Sequence, residues 1–141
     1  MVVQIMIYYS FIYIALSCLI LSKLSINIIK LRRQNKVSFG DDGDRTLMRR
    51  IRAQANFIEY TPIFLLSLIG IEWLAVENIP YYFLYINIVG SLFIIGRILH
   101  ALSLYEKKIM HRKTGMIITF VSLQLNGILL LVLVFYKIFF V

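Results

Sequence analysis

The stretch from Met48 to Leu74, MRRIRAQANFIEYTPIFLLSLIGIEWL, decides the fold. Its second half is a long apolar run, whereas its first half carries arginines, an amide and a carboxylate. Arg52, Asn56 and Glu59 are spaced i, i+4 and i+7, which places them on one face of a helix. Since a charge inside a bilayer is costly, we expect this face to contact protein or a water-filled cavity. The alternative is an ion network at the helix end that only orients the span.

The composition is typical of a membrane protein. Of the 141 residues, 60% are hydrophobic, and the mean hydropathy is +0.83, whereas soluble domains are about 45–50% apolar. The apolar runs show no alternation with a period of two, and each is long enough to cross a bilayer as a helix. The first run lacks a basic leader and a small-residue cleavage site, so we interpret it as a retained span. We therefore expect one all-α domain, 1–141, an integral membrane four-helix bundle with spans at about 5–29, 55–76, 81–103 and 116–141.

The basic residues predict the orientation of these spans. Eight of the fifteen lysines and arginines fall between Lys30 and Arg52, and four fall between residues 107 and 113. By the positive-inside rule, both segments face the cytoplasm and both termini face outward. We therefore interpret the net charge of +8 as the signal that orients the protein in the membrane. We expect no nucleic-acid partner.

The third run carries a second group of polar residues, with Arg97 and His100 at i and i+3 and Tyr105 further along. Arg97 lies about ten residues before the second basic segment, so its depth is close to that of Glu59. We expect Arg97 and Glu59 to share one polar layer. The alternatives are that Arg97 snorkels to the interface and that His100 is an ordinary interfacial residue. The histidines and the single cysteine lack the spacing of metal ligands, so we expect no metal site.

Other polar residues receive structural interpretations. The segment SFGDDGD, residues 38–44, is predicted to be a solvated turn rather than a calcium loop. Gln124 and Asn126 are predicted to form hydrogen bonds between helices, and Glu72 is predicted to be solvated near the outer surface. For Lys23 two orientations stay open, because it can face the cavity of the other polar residues or snorkel to the interface.

The cytoplasmic ends of the runs together carry arginines, an amide, a carboxylate, tyrosines and a histidine. This inventory favours a small, multiply charged, mostly anionic ligand, because arginine forks bind carboxylates well. Glu59 and Asn56 would receive an ammonium and an amide. A γ-glutamyl tripeptide fits this description, and so do other zwitterions.

Several segments resemble one family in matching order. They are IIKLRRQNKVS, RAQANFIEYTPIFL, GRILHA and RKTGM. This series is similar to the MAPEG family, the membrane-associated proteins of eicosanoid and glutathione metabolism, and most of all to its small bacterial members. The resemblance covers nearly the whole chain. It implies a homotrimer of four-helix protomers in the bacterial inner membrane, with glutathione bound between neighbouring protomers near the cytoplasmic face.

The resemblance also implies a set of site residues. Arg112 matches the family's thiolate-stabilising arginine, and Lys113 is the alternative. Two features depart from the family pattern: Leu104 stands where some eukaryotic members have a tyrosine, and the segment before Arg112 differs in length. The positions that match glutathione-binding residues, or lie one position from them, are Arg32, Arg33, Arg52, Gln54, Asn56, Glu59, Tyr60, Arg97, His100 and Tyr105.

The implied activity is that of a glutathione transferase, extended in some members to glutathione peroxidase activity. Its partners would be membrane lipids and a small apolar electrophile or hydroperoxide that arrives from the bilayer. The alternatives are a glutathione-dependent isomerase, a lipid head-group binder, and a non-catalytic scaffold or small exporter subunit. Small exporters carry an intramembrane glutamate on their first helix, and residues 5–29 contain no acidic side chain.

Overall fold

The chain folds into four helices. A computed structural model describes residues 8–76, 79–106 and 109–140, and these residues form no strand. All four helices are long and apolar enough to cross a membrane, so the predicted all-α membrane fold is confirmed. In chain order they are α1 (Tyr9–Asn35), α2 (Arg45–Ala75), α3 (Tyr82–Glu106) and α4 (Ile109–Phe140).

The helices extend beyond the predicted spans on the side of the basic segments. α1 continues to Asn35, α2 already begins at Arg45, and α4 begins at Ile109. Arg112 and Lys113, which we expected in a connection, therefore lie near the start of α4. The length of an apolar run reflects only the thickness of the hydrocarbon core that the helix must cross. The backbone hydrogen bonds of the helix can continue through the charged residues that follow the apolar run. The predicted ends at residues 5–7 and 141, and the basic residues 107 and 108, lie outside the described residues.

The turn between α1 and α2 is built by aspartates and glycines. Asp44 caps α2, because its carboxylate accepts a hydrogen bond from the backbone N–H of Thr46 at 2.7 Å. Gly40 and Gly43 have φ angles of 65° and 75°, in the left-handed region that glycine adopts without a steric cost. The side chains of this turn are mostly exposed, which confirms the predicted solvated turn.

α2 and α3 form the middle of the bundle. α1 and α4 each pack against both of them, and no packing between α1 and α4 is found in the described ranges. The rings of Phe64 in α2 and Phe93 in α3 stack with centroids 3.7 Å apart, and both are fully buried. Asn126 in α4 donates to the Ser67 hydroxyl and accepts from the Tyr85 hydroxyl, each at 2.9 Å. These bonds join three helices and confirm the predicted role of Asn126.

The start of α1 is capped by a side chain of another helix. Glu72 in α2 accepts hydrogen bonds from the backbone N–H groups of Tyr9 at 3.1 Å and Ser10 at 2.9 Å. Its exposed fraction is 0%, so the prediction that Glu72 is solvated is wrong. The N-cap residue of α1, Tyr8, makes no side-chain cap hydrogen bond. Because the first N–H groups of a helix lack intrahelical acceptors and carry partial positive charge, a buried carboxylate there is stabilised.

Candidate functional site

The polar face predicted on α2 is present and turned away from the core. Arg52 and Glu59 are exposed and Asn56 is half-buried, whereas Ala53 and Phe57 on the other side of the helix are 0% and 2% exposed. Asn56 donates from Nδ2 to the carbonyl oxygen of Arg52 at 3.0 Å. We call Arg52, Asn56 and Glu59 the α2 stripe. In residues 8–76, 79–106 and 109–140, no ion pair neutralises either of its charged members.

Arg97 is enclosed between α2, α3 and α4. It is 1% exposed, so it does not snorkel to the interface. Its guanidinium lies over the ring of Tyr60, with the carbon Cζ 5.3 Å from the ring centroid, and its Nη1 donates to the Thr119 hydroxyl at 3.4 Å. Phe120 also packs edge-on against the Tyr60 ring, with centroids 5.6 Å apart.

Glu59 precedes Tyr60 in the chain, and its charge acts on Arg97. The two groups form no salt bridge within the described part of the chain. The neighbours of Arg97 are therefore an aromatic ring and a hydroxyl, and the expected carboxylate acts on it only from a distance. Thr119 was missed by the sequence reasoning, although its position four residues after Gly115 places both on one face of α4.

His100 lies where α3 and α4 cross most closely. A Cβ atom added to Gly115 would lie 2.7 Å from the carbonyl oxygen of Gly96 and 2.8 Å from the backbone nitrogen of His100. Small residues at such a crossing let two helix backbones touch. The crossing places the start of α4, which carries Arg112, beside the C-terminal part of α3.

The imidazole of His100 is 1% exposed, so His100 is not an ordinary interfacial residue. Its Nδ1 atom is buried and has no hydrogen-bond partner within the described ranges. The charges of Arg97 and Arg112 both act on this imidazole. Arg112 itself is exposed. The crossing thus groups a buried arginine, a buried histidine with an unused nitrogen and an accessible arginine.

A second polar cluster lies between α1, α2 and α3. The guanidinium carbon of Arg50 lies 3.0 Å from the ring centroid of Tyr105, and the Tyr105 hydroxyl accepts from Nδ2 of Asn27 at 3.2 Å. Gln54 donates from Nε2 to the hydroxyl of Ser25 at 2.6 Å. Gln54 and Tyr105 therefore contact α1, and they are not in contact with the α3–α4 crossing. Arg50 was missed, although its spacing of four residues from Gln54 predicts a shared helix face.

The two arginines near the end of α1 lie on the basic side of the protomer. Arg32 donates from Nη1 to the carbonyl oxygen of Ser38 at 3.2 Å, and Arg33 is exposed. Neither forms a hydrogen bond or ion pair with the α2 stripe among the residues that the structure describes. One protomer thus brings the predicted site residues into four groups: the α2 stripe, the α3–α4 crossing with Tyr60, the α1-facing residues Gln54 and Tyr105, and the two arginines near the end of α1.

Comparison with known proteins places this arrangement in a family. The MAPEG family model matches residues 10–134. The chain belongs to the MAPEG family. The inner membrane protein YecN of Escherichia coli strain K12 is 31% identical over 116 residues, which cover 82% of this chain and 85% of that protein. The protein of the same name from Escherichia coli O6:H1 strain CFT073 gives the same values.

Membership confirms the resemblance found in the sequence and identifies the chain as a multi-pass membrane protein of this family. The matched range contains the α2 stripe, Arg97, His100 and Arg112. No group of three or more histidine, cysteine or acidic side chains that could hold a metal ion occurs in the described ranges. The site residues present arginines, a carboxylate, an amide, an imidazole and phenols.

Proposed function

We propose that the protein is a membrane-bound glutathione transferase that binds glutathione between copies of itself and activates the thiol as a thiolate. The observation that supports this proposal most strongly is the α2 stripe. A helix that crosses a membrane carries an exposed arginine and an exposed glutamate on the face opposite its packed core. Glu59 lies within the predicted span 55–76, where lipid offers no partner for its charge. A charge costs about 2.5–3.5 kcal/mol at the bilayer centre and less near the interface.

A second copy of the chain and a charged ligand satisfy this face together. The stripe of one protomer meets Gln54 of the next, and Arg32 or Arg33 completes the set of cations around the ligand. We propose a homotrimer, in agreement with what the family resemblance implies. This assembly would also explain why Gln54 and the α1 arginines are separated from the α3–α4 crossing within one protomer.

Glutathione matches the charges of this site. It carries two carboxylates, one ammonium and two amides, and arginines bind carboxylates through paired hydrogen bonds. Arg52 and an α1 arginine would hold the carboxylates, Glu59 the ammonium, and Asn56 an amide. Arg97 and His100 would line the site from within the protomer, and the unused Nδ1 of His100 offers a hydrogen bond to the peptide.

Arg112 would act on the sulfur. A free thiol has a pKa of about 8.5, so only a few per cent is ionised at neutral pH. Lowering the pKa of the glutathione thiol by two units requires roughly 2.7 kcal/mol of differential stabilisation of the anion. An accessible guanidinium is suited to this because it stays protonated. Arg112 lies three residues before Gly115 and therefore shares its face of α4, whereas Lys113, two residues before Gly115, does not. This favours Arg112 over Lys113 for this role.

The reaction is a nucleophilic substitution or addition. The thiolate sulfur forms a bond to an electrophilic carbon, and the leaving group departs with its bonding electrons. With a hydroperoxide, the thiolate attacks the outer oxygen and the O–O bond breaks. This gives a sulfenic acid on glutathione, and the alkoxide takes a proton and leaves as the alcohol. The thiol of a second glutathione then attacks the sulfenic sulfur, which forms the disulfide and releases water. Apolar acceptors would enter from the bilayer, and we place the protein in a bacterial inner membrane with the site on the cytoplasmic side.

Binding of glutathione to the purified protein in mild detergent tests the ligand. We expect saturable binding, and a loss of at least tenfold in affinity for Arg52→Ala and for Glu59→Gln, because each removes a charged contact. Lys30→Ala is the matched control, since it removes an exposed basic residue of α1 that is not in the site. Unchanged binding in both site variants, or no binding to the wild type, would contradict the proposal and favour a non-catalytic membrane scaffold.

A further inference from the structure

A cavity of about 190 Å³ lies between α1 and α3. Five apolar side chains line it together with Lys23, Asn27 and Tyr105. Its lining residues all belong to α1 or α3, and none of them belongs to the α2 stripe. We call it the α1–α3 groove. Lys23 lines this groove, so it does not face the site around Arg97, which was one of its two expected orientations.

The groove is apolar at one end and polar at the other. Ile20 and Ile98 are at the end nearer the middle of the bundle, and Asn27 and Tyr105 are at the end nearer the basic segments. From Ile20 to Asn27 the helix advances about 10 Å. This change from apolar to polar matches that of a membrane lipid, whose acyl chain lies in the hydrocarbon core and whose head group lies at the interface.

Lys23 supplies a positive charge that needs a partner. It is exposed, and no acidic side chain among the described residues forms an ion pair with it. Asn27 lies four residues later on the same helix face, toward the cytoplasmic side. The long stem of Lys23 allows its ammonium to approach the level of Asn27 while its methylenes cover apolar surface. An ammonium within a span is costly without an anion.

Tyr105 supplies a hydrogen-bond donor at the same end. Its hydroxyl accepts from Asn27, so the hydroxyl proton is available to donate, and no acceptor for it occurs in the described part of the chain. The guanidinium of Arg50 lies against the ring, 3.0 Å from its centroid, and adds a second positive charge beside the polar end. A cation and a free O–H donor together are complementary to an anionic oxygen.

We propose that the α1–α3 groove binds one anionic phospholipid of the surrounding leaflet, with its phosphate at Lys23 and Tyr105 and part of one acyl chain along Ile20 and Ile98. The groove volume is below the roughly 300–1,000 Å³ of pockets that enclose a whole drug-sized ligand. It therefore accommodates a chain segment, and the rest of the lipid stays in the bilayer. Basic pockets between spans on the cytoplasmic side are a general means of holding phospholipid head groups.

Native mass spectrometry of the full-length protein, released from detergent with added lipid, tests this proposal. Phosphatidylglycerol and phosphatidylcholine with identical acyl chains are compared. We expect phosphatidylglycerol to remain bound in preference, and Lys23→Gln to lower its affinity about fivefold, the factor for one basic residue near anionic lipid. Lys30→Gln removes the same charge from α1 outside the groove lining, and we expect little change. Leu102→Trp fills the groove and should reduce retention of both lipids.

Three results would overturn the proposal. They are equal losses in the Lys23 and Lys30 variants, full retention of phosphatidylglycerol by Leu102→Trp, and binding of a free fatty acid without retention of phospholipid. The first result would mean that the basic residues attract anionic lipid nonspecifically. The second would mean that the acyl chain binds outside the groove. The third would mean that the ligand of the groove is a carboxylate and not a phosphate. Glutathione binding is measured in the same variants. Since Lys23 and Leu102 lie outside the proposed glutathione site, that binding should not change, so the two proposals fail independently.

Discussion

Replacement of Gly115 by alanine tests the crossing that brings Arg112 to His100. The added Cβ would lie 2.7 Å from the carbonyl oxygen of Gly96 and 2.8 Å from the backbone nitrogen of His100. Both are backbone atoms, so a rotamer change cannot relieve the clash and α4 must move away from α3. Overpacking of this kind costs about 1–3 kcal/mol, whereas alanine in place of glycine in a helix gains about 0.5–1 kcal/mol.

Gly127→Ala is the matched control on the same helix, because a Cβ at Gly127 meets no atom within 4 Å. The free energy of unfolding is measured in mixed micelles through the fluorescence of Trp73, the single tryptophan. We expect Gly127→Ala to be neutral or stabilising. Gly115→Ala should be less stable than this control by about 1–3 kcal/mol, since the helix-propensity gain is common to both.

Equal stability of the two variants would refute the close crossing of α3 and α4. The same variants are also assayed for glutathione binding. A displaced α4 moves Arg112 relative to His100, so we expect Gly115→Ala to weaken glutathione binding and Gly127→Ala to leave it unchanged. Loss of stability without any change in binding would separate the crossing from the site.

Three further predictions concern contacts away from the site. Glu72→Ala should lower the free energy of unfolding by about 0.5–2 kcal/mol in micelles, because it removes the cap of α1, and Glu72→Gln should cost less since it keeps one acceptor. A double-mutant cycle of Asn126→Leu and Tyr85→Phe should give a coupling free energy of about 0.6–1.7 kcal/mol; zero coupling would refute their hydrogen bond. In thermal melts Gly90→Ala should be destabilised, because its Cβ would lie 2.5 Å from the Tyr13 ring.

Helical periodicity was sufficient to predict the α2 stripe. Arg52, Asn56 and Glu59 lie on one face because their spacing follows the helix repeat. Within one protomer that face is turned away from the core, and its expected contact with protein or a water-filled cavity stays a prediction. Periodicity and length also predicted four helices. These features depend on residues close together in the chain, so the sequence alone contains the information.

The partners of buried polar groups were predicted less well. The depth of Arg97 followed from its distance to the basic segment, but its contacts with Tyr60 and Thr119 depend on how α2, α3 and α4 rotate about their axes. Glu72 was misread for the same reason. Glu72 does lie near the end of α2, but its burial depends on the start of α1 meeting it there.

Whether the site ionises glutathione is tested most directly by an ultraviolet difference spectrum of the protein with glutathione at neutral pH. Wild type, Arg112→Ala and the neighbouring control Lys113→Ala are compared. The proposed function predicts a thiolate absorption band in the wild type and in Lys113→Ala, and its loss in Arg112→Ala. A wild type that binds glutathione without a thiolate band, or a band that persists in Arg112→Ala, would contradict thiolate activation by Arg112.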